Sequence, residues 1–142
     1  MSPKLKKDFV ISRRDFQNAG YVSSTIKKEL MKRNIDSRIV RRAIIACFEA
    51  EINVVIHSYG GMCRYQLDDE KLIMTFADYG PGIEDISMAK QKGYSTASKD
   101  AIEHGFGAGM GLHNIEEAAD ILEIQSSPNG TMLQITILLR MK

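Results

Sequence analysis

The chain has 142 residues, of which 44% are hydrophobic and 26% are charged, a balance typical of one globular domain with one core. Its longest apolar runs are too short to cross a membrane, and its basic start, MSPKLKKDFV, lacks the apolar stretch of a signal peptide. We therefore expect a single domain over residues 1–142, located in the cytoplasm and without a membrane partner. Cys47 and Cys63 lie in apolar patterns without metal-ligand spacing, which indicates buried free thiols.

Charge is distributed unevenly along the chain. Residues 1–42 hold 12 Lys and Arg against 4 Asp and Glu, a balance of +8, whereas residues 43–142 hold 7 against 14, a balance of −7. A basic half can indicate nucleic-acid binding, but no nucleic-acid motif and no interleaved aromatic residues accompany it. We favour a solvated helix face, with an acidic protein partner as the second interpretation, and we expect no direct contact with nucleic acid.

The first half of the chain predicts one strand and two helices. The segment DFVISR, residues 8–13, alternates weakly and is typical of a strand. A first helix is indicated by three apolar residues at helical spacing, Val22, Ile26 and Leu30. Asp36 and Ser37 then offer an N-cap for a long helix from about residue 37 to 57, which the two glycines at 60–61 are expected to end.

The second half predicts two hairpins, a lid and one more helix. MCRYQLDD and KLIMTFAD are typical of paired strands, as are LEIQSS and TMLQITILL around the turn PNG. Between the hairpins, a long segment of low apolar content indicates a functional lid at about residues 87–109. After it, one helical face is expected to carry Leu112, Ile115, Ala119 and Leu122. The predicted fold is an α+β two-layer sandwich, with a mixed, mainly antiparallel sheet covered on one face by helices.

The long helix carries the first candidate site. Glu49 and Asn53 are four residues apart, so they share one helical face. They are either a polar pair at the helix surface or the floor of a pocket, where Asn53 offers an oxygen to a metal and Glu49 accepts a proton. We interpret the neighbouring Glu51 as a plain surface residue.

Two glycine-rich motifs follow. DYGPGI, residues 78–83, comes directly after a predicted strand and holds more turn-forming residues than a simple turn needs. HGFGAGMGL, residues 104–112, places four glycines before a helix, where exposed backbone N–H groups and the helix N-terminus favour an anion such as phosphate. A flexible hinge explains four glycines less well. The spacing matches neither a P-loop nor a dinucleotide fingerprint.

In this order, the Glu-Asn pair, DYGPGI and the glycine cluster resemble the GHKL superfamily. These Bergerat-fold ATP-binding proteins include gyrase, MutL, histidine kinases and anti-sigma-factor kinases. The resemblance covers about residues 36–138, and it is specific because the three motifs occur together. The Gly-Thr pair at 130–131 resembles a further nucleotide-side element of the superfamily.

The resemblance implies a role for each candidate residue. Asp78 would hydrogen-bond the exocyclic amine of adenine, and Thr131 would help to hold the base through water. Asn53 would ligate Mg²⁺ between the phosphates of ATP, and Glu49 would be the catalytic base. The further nucleotide contacts that it implies are Gly80 and Gly82 in DYGPGI, Ser95, Thr96 and Lys99 in the lid, and Gly105, Gly107, Gly109 and Gly111 on the phosphate side.

A glutamate at position 49 in a short chain is similar to the anti-sigma regulatory serine/threonine kinases SpoIIAB, RsbW and RsbT, and the glycine segments are closest to the RsbT type. Histidine kinases usually have Asn or His at this position and carry a separate dimerisation helix. Gyrase-like ATPases need further domains. The resemblance therefore implies an ATP-dependent serine/threonine protein kinase that phosphorylates a STAS-domain antagonist in bacterial partner switching.

Two other hypotheses stay open. The chain can be a non-catalytic, nucleotide-gated module that holds a sigma factor or a regulator of a PP2C-type phosphatase. It can also be a piece of a histidine kinase, which Glu49 disfavours. Phosphate transfer to a STAS partner separates the kinase from the binding module.

Overall fold

The computed structural model describes residues 5–81 and 111–140, which form five strands and three helices. In chain order these are β1 (Leu5–Ile11), α1 (Tyr21–Lys32), α2 (Ser37–His57), β2 (Gly61–Leu67), β3 (Lys71–Asp78), α3 (Gly111–Ala118), β4 (Ile121–Ser127) and β5 (Gly130–Leu138). The predicted lid at 87–109 lies outside the described residues.

The strands form one sheet in the order β1-β2-β3-β5-β4, and all four neighbouring pairs are antiparallel. The two predicted hairpins, β2–β3 and β4–β5, are confirmed. The α+β fold is confirmed too, although the sheet was expected to be mixed and the described strands contain no parallel pair. A parallel pair needs a crossover connection, whereas each hairpin pairs its two strands antiparallel through a short turn.

Alternation along the strands places one face of the sheet in the core. Leu72, Met74 and Phe76 of β3 are buried on the side that the helices cover. Met62 and Met132 point to the other side and are each 40% exposed. The sheet is therefore covered on one face, as an antiparallel sheet in a two-layer sandwich is expected to be.

α2 is the central helix of the covering layer, since it contacts α1, α3 and the sheet strands β3 and β5. Its start is the predicted one, because the Asp36 side chain accepts a hydrogen bond from the Arg38 backbone N–H at 2.8 Å. It also ends where predicted, at His57, three residues before the two glycines. The Ser58 hydroxyl donates to the Val54 carbonyl at 2.7 Å and satisfies one of the last backbone acceptors.

The interpretation of Glu51 as a surface residue is wrong. Glu51 is 2% exposed, and its carboxylate accepts hydrogen bonds from the backbone N–H groups of Gly20, Val22 and Ser23 at 3.1, 3.2 and 3.3 Å. The N-cap of α1 is Gly20, which has no side chain to satisfy these donors. Glu51, which lies on α2, takes the place of the missing N-cap side chain, and its hydrogen bonds link α2 to the start of α1. Burial raises the pKa of Glu51, and the backbone donors oppose part of the rise.

The observed limits of β1 and α3 also differ from the predicted ones. β1 spans Leu5–Ile11 and pairs with β2 over its whole length, so it begins and ends before the predicted segment. α3 ends at Ala118, and Leu122 belongs to β4, because the Asp120 backbone N–H already donates to the Thr136 carbonyl of the sheet. Across the described ranges, no helix combines the length and hydropathy that crossing a membrane requires.

Candidate functional site

The covered face of the sheet changes from apolar to polar at one edge. The inward-facing row of β3 runs Leu72, Met74, Phe76 and then Asp78, which is only half-buried. The adjacent inward positions are Gly61 on β2 and Thr131 on β5. Three neighbouring strands therefore place small or polar groups where the core ends, which opens a polar edge beside the helices.

Asp78 is fixed at this edge through one of its two carboxylate oxygens. Oδ1 accepts the backbone N–H of Thr131 at 2.9 Å and that of Gly80 at 3.0 Å. Oδ2 accepts no hydrogen bond from the described residues. A carboxylate anchored by one oxygen presents the other as a directed acceptor for a ligand donor such as an amine.

Two glycines allow this arrangement. Gly80 has φ +102°, and a Cβ there would lie 2.9 Å from the Pro128 carbonyl oxygen of the β4–β5 turn. Gly130 has φ +154°, and a Cβ there would fall on the carbonyl oxygen of Asp78. The role implied for Gly80 was close passage of the nucleotide; contact with the chain's own turn is an additional reason for a glycine.

Thr131 forms a hydrogen bond with Ser126 as well as with Asp78. Its hydroxyl lies 2.8 Å from the hydroxyl of Ser126 on β4, its register partner. The two strands of the last hairpin thus carry a pair of hydroxyl groups next to the Asp78 carboxylate. Asp78, Gly80 and Thr131, which were predicted separately, form one cluster.

The residues that follow α2 are hydrogen-bonded to the same edge of the sheet. The Tyr59 backbone N–H donates to the Gly80 carbonyl at 2.8 Å, and the Tyr79 N–H donates to the Gly60 carbonyl at 3.0 Å. Asn53 lies one helical turn before His57, where α2 ends. The helix therefore brings its polar pair towards the end of the sheet that carries Asp78.

Glu49 and Asn53 both face α3. A Cβ at Gly111 would lie 3.0 Å from Asn53 Oδ1 and 3.3 Å from Nδ2, so the start of α3 passes directly over this amide. One turn further along α3, Asn114 Nδ2 donates to Glu49 Oε1 at 3.3 Å. Glu49, Asn53 and Gly111 therefore form a second cluster, and all three residues are half-buried.

The ability of this site to bind a metal ion rests on Asn53. Within residues 5–81 and 111–140, no group of three or more His, Cys, Asp and Glu side chains is close enough to hold a metal ion. Mg²⁺ often takes one or two protein ligands and completes its shell with water and substrate phosphate oxygens. A single half-buried amide oxygen fits that mode of binding, in which water and phosphate oxygens supply the remaining ligands.

The two cysteines do not belong to the site. Cys47 and Cys63 are buried free thiols, as predicted. Burial raises the pKa of both thiols well above its ordinary value, so neither is a thiolate nucleophile at neutral pH.

The remaining candidate residues lie outside the described ranges. They are Gly82, Ser95, Thr96, Lys99, Gly105, Gly107 and Gly109. Their implied contacts with nucleotide stay predictions.

Sequence reasoning missed two side chains of the α2–α3 contact, Asn114 and Arg42. Arg42 Nε donates to the Ala118 carbonyl at 3.0 Å, and its guanidinium forms an ion pair with Asp120 at 2.9 Å. The spacing of Gly111, Asn114 and Ala118 places them on one face of α3, beside the apolar stripe. That pattern was visible in the sequence, but its partner helix was not.

A comparison with family models matches residues 17–137 to the family described as "Histidine kinase-like ATPase domain". The chain belongs to this family. The predicted resemblance to the GHKL superfamily is thereby confirmed.

Among curated proteins, relatives are anti-sigma F factors. The one from Bacillus subtilis is 35% identical over 95 residues, which cover 62% of each chain. The one from Caldanaerobacter subterraneus is 32% identical over 97 residues, or 64% of each chain. The matches thus span less than two thirds of the relatives' length. The finer prediction of an RsbT-type chain stays a prediction.

The fold has a solved counterpart in a crystal structure of the RsbU and RsbW domains of a Mycobacterium tuberculosis protein. The TM-score is 0.63 at 18% identity, and the match covers 99% of this chain and 34% of the other. This likeness supports the fold.

Proposed function

We propose that the chain binds Mg·ATP at the polar sheet edge and transfers the γ-phosphate to a serine or threonine of a STAS-domain antagonist. The observation that carries the proposal is the Asp78 carboxylate, which is fixed through Oδ1 and presents Oδ2 without a partner among the described residues. Adenine offers an exocyclic amine, a donor that this acceptor suits. Guanine offers a carbonyl oxygen at the corresponding place, which a carboxylate repels.

Beyond the adenine contact, the second cluster suits the phosphates. Asn53 offers an amide oxygen to Mg²⁺, and the N-terminus of α3 at Gly111 adds the partial positive charge of a helix start. Bound Mg²⁺ would neutralise the charge of the transferring phosphoryl group. Glu49 lies one turn from Asn53 on the same face of α2, where its carboxylate can accept the proton of the attacking hydroxyl.

Family membership supports the nucleotide, and the relatives support the partner. A histidine kinase-like ATPase domain implies ATP, and relatives named anti-sigma F factors imply partners among sigma factors or their antagonists. We propose a STAS-domain antagonist as the phosphorylated partner and a cytoplasmic location for the reaction.

Single-turnover transfer from γ-³²P-ATP tests the proposal. The recombinant STAS-domain proteins of the source organism are each incubated with the chain at saturating ATP. Phosphate on a serine or threonine of one of them is the expected result. Glu49→Ala should retain ATP affinity while transfer falls by about 10²–10⁴-fold, the usual contribution of a positioned base.

Asn53→Ala is the matched comparison on the same helix face. It should lose both binding and transfer, because Mg²⁺ loses its protein ligand. If ATP binds but no STAS protein is labelled, the chain is the nucleotide-gated binding module instead. If Glu49→Ala transfers as fast as the parent chain, Glu49 is not the base.

A further inference from the structure

Two hydrogen bonds and one close approach run along the junction of α2 and α3. Asn53 faces Gly111, Glu49 accepts from Asn114, and Arg42 donates to the Ala118 carbonyl. Positions rise along α3 as they fall along α2, so the two helices are antiparallel. The contacts lie one turn apart along α3, and one and then two turns apart along α2. Asn114 occupies the middle of this junction.

The contact at Asn114 occupies one oxygen of the Glu49 carboxylate. Glu49 Oε1 takes the Asn114 amide N–H at 3.3 Å, and Oε2 accepts no hydrogen bond from the described residues. A glutamate side chain has several rotatable bonds, and fixing one oxygen restricts where the other points. Asparagine is a neutral donor, so it directs the carboxylate without placing a cation beside it.

The backbone that carries Asn114 is itself held in place. Ile115, the next residue, is fully buried in the core. The C-terminal end of α3 is capped by Arg42, which also pairs with Asp120. Because α3 is anchored on both its buried face and its end, the Asn114 amide is a fixed reference for the side chain that it contacts.

We propose that Asn114 is a positioning residue that aims the Glu49 carboxylate at the hydroxyl of the protein substrate. This role rests on the proposed function, since it acts only through Glu49. It adds α3 to the catalytic arrangement, with Gly111 against the metal ligand and Asn114 against the base. ATP binding does not require the contact.

A double-mutant cycle on the transfer rate tests the role. Asn114→Ala should lower single-turnover transfer about ten- to a hundred-fold, as expected for a misaimed catalytic group, with ATP affinity within about two-fold of the parent. Asn114→Asp has the same shape but turns a carboxylate towards Glu49, so it should transfer more slowly than Asn114→Ala. Glu117→Ala, at an exposed site of α3, is the matched control and should leave the rate unchanged.

The decisive comparison uses the Glu49→Ala background. Because the Glu49 carboxylate is already absent in this background, adding Asn114→Ala should change the residual transfer rate less than two-fold. An equal loss in both backgrounds would show that Asn114 only supports the fold, and the proposal would be overturned. A parent chain that labels no STAS protein would overturn the proposed function, and this role with it. Parent activity with no effect of Asn114→Ala would refute the role alone.

Discussion

Glu51→Ala is expected to destabilise the fold although Glu51 lies outside the candidate site. The substitution removes the acceptor of three backbone N–H groups at the start of α1. Losing a helix cap costs about 0.5–2 kcal/mol, and a second donor left buried without a partner costs about 1–3 kcal/mol. Burial already disfavours the ionised Glu51 carboxylate in the folded state. Removing this carboxylate therefore offsets part of the loss. We expect a net loss of about 2 kcal/mol in the free energy of unfolding.

Urea denaturation followed by circular dichroism measures this loss. Glu123→Ala, at an exposed position of β4, is the matched control and should stay within about 0.5 kcal/mol of the parent. If Glu51→Ala also stays within that range, the three hydrogen bonds do not fasten α1 to α2.

Glu51→Gln adds a test of the pH dependence. The pKa of Glu51 is raised in the folded state above its ordinary value of 4.5, so the folded chain binds more protons than the unfolded chain between those two values. The stabilisation linked to this group is fully present below about pH 4.5 and is lost as pH rises through the folded pKa. The stability advantage of the parent over Glu51→Gln should therefore be larger at pH 4 than at pH 7. An advantage that grows with pH would contradict the reasoning.

Three further outcomes are expected. Gly111→Ala should keep or raise the melting temperature, because alanine favours helix, yet weaken Mg·ATP binding in calorimetry by displacing Asn53. Gly130→Ala should lower the free energy of unfolding by more than about 2 kcal/mol in urea, because its Cβ meets the Asp78 carbonyl. The two buried thiols should react with Ellman's reagent only at the rate of unfolding, since burial keeps them protonated; prompt labelling of the folded chain would contradict this.

The elements that local signals describe were predictable. Asp36 marks the start of α2 through a hydrogen bond to its own helix, and the alternation of β2 and β3 comes from one buried face. The spacing of Glu49 and Asn53 was enough to predict that they share a helical face. Each of these features depends on residues within a few positions of one another.

The misplaced or missed residues depend on long-range packing. Glu51 reaches α1 across 28 to 31 positions, and Asn114 reaches Glu49 across 65. A glutamate beside Glu49 carries no local sign that it will cap another helix. The Cβ collision at Gly80 similarly involves a turn that is distant in the chain, so its own motif gave no indication of it.

Recognition of adenine by Asp78 is the central claim, and calorimetric titration with ATP and GTP in the presence of Mg²⁺ tests it most directly. Asp78→Asn keeps an oxygen for the Thr131 and Gly80 N–H groups but replaces the second carboxylate oxygen, Oδ2, by an amide NH₂ group, so the melting temperature should change little. The parent should bind ATP and not GTP, and the variant should lose about 1–3 kcal/mol of ATP binding, or roughly 5- to 150-fold in affinity. Equal affinity for the two nucleotides, or an unchanged affinity for ATP in a folded Asp78→Asn variant, would contradict the account.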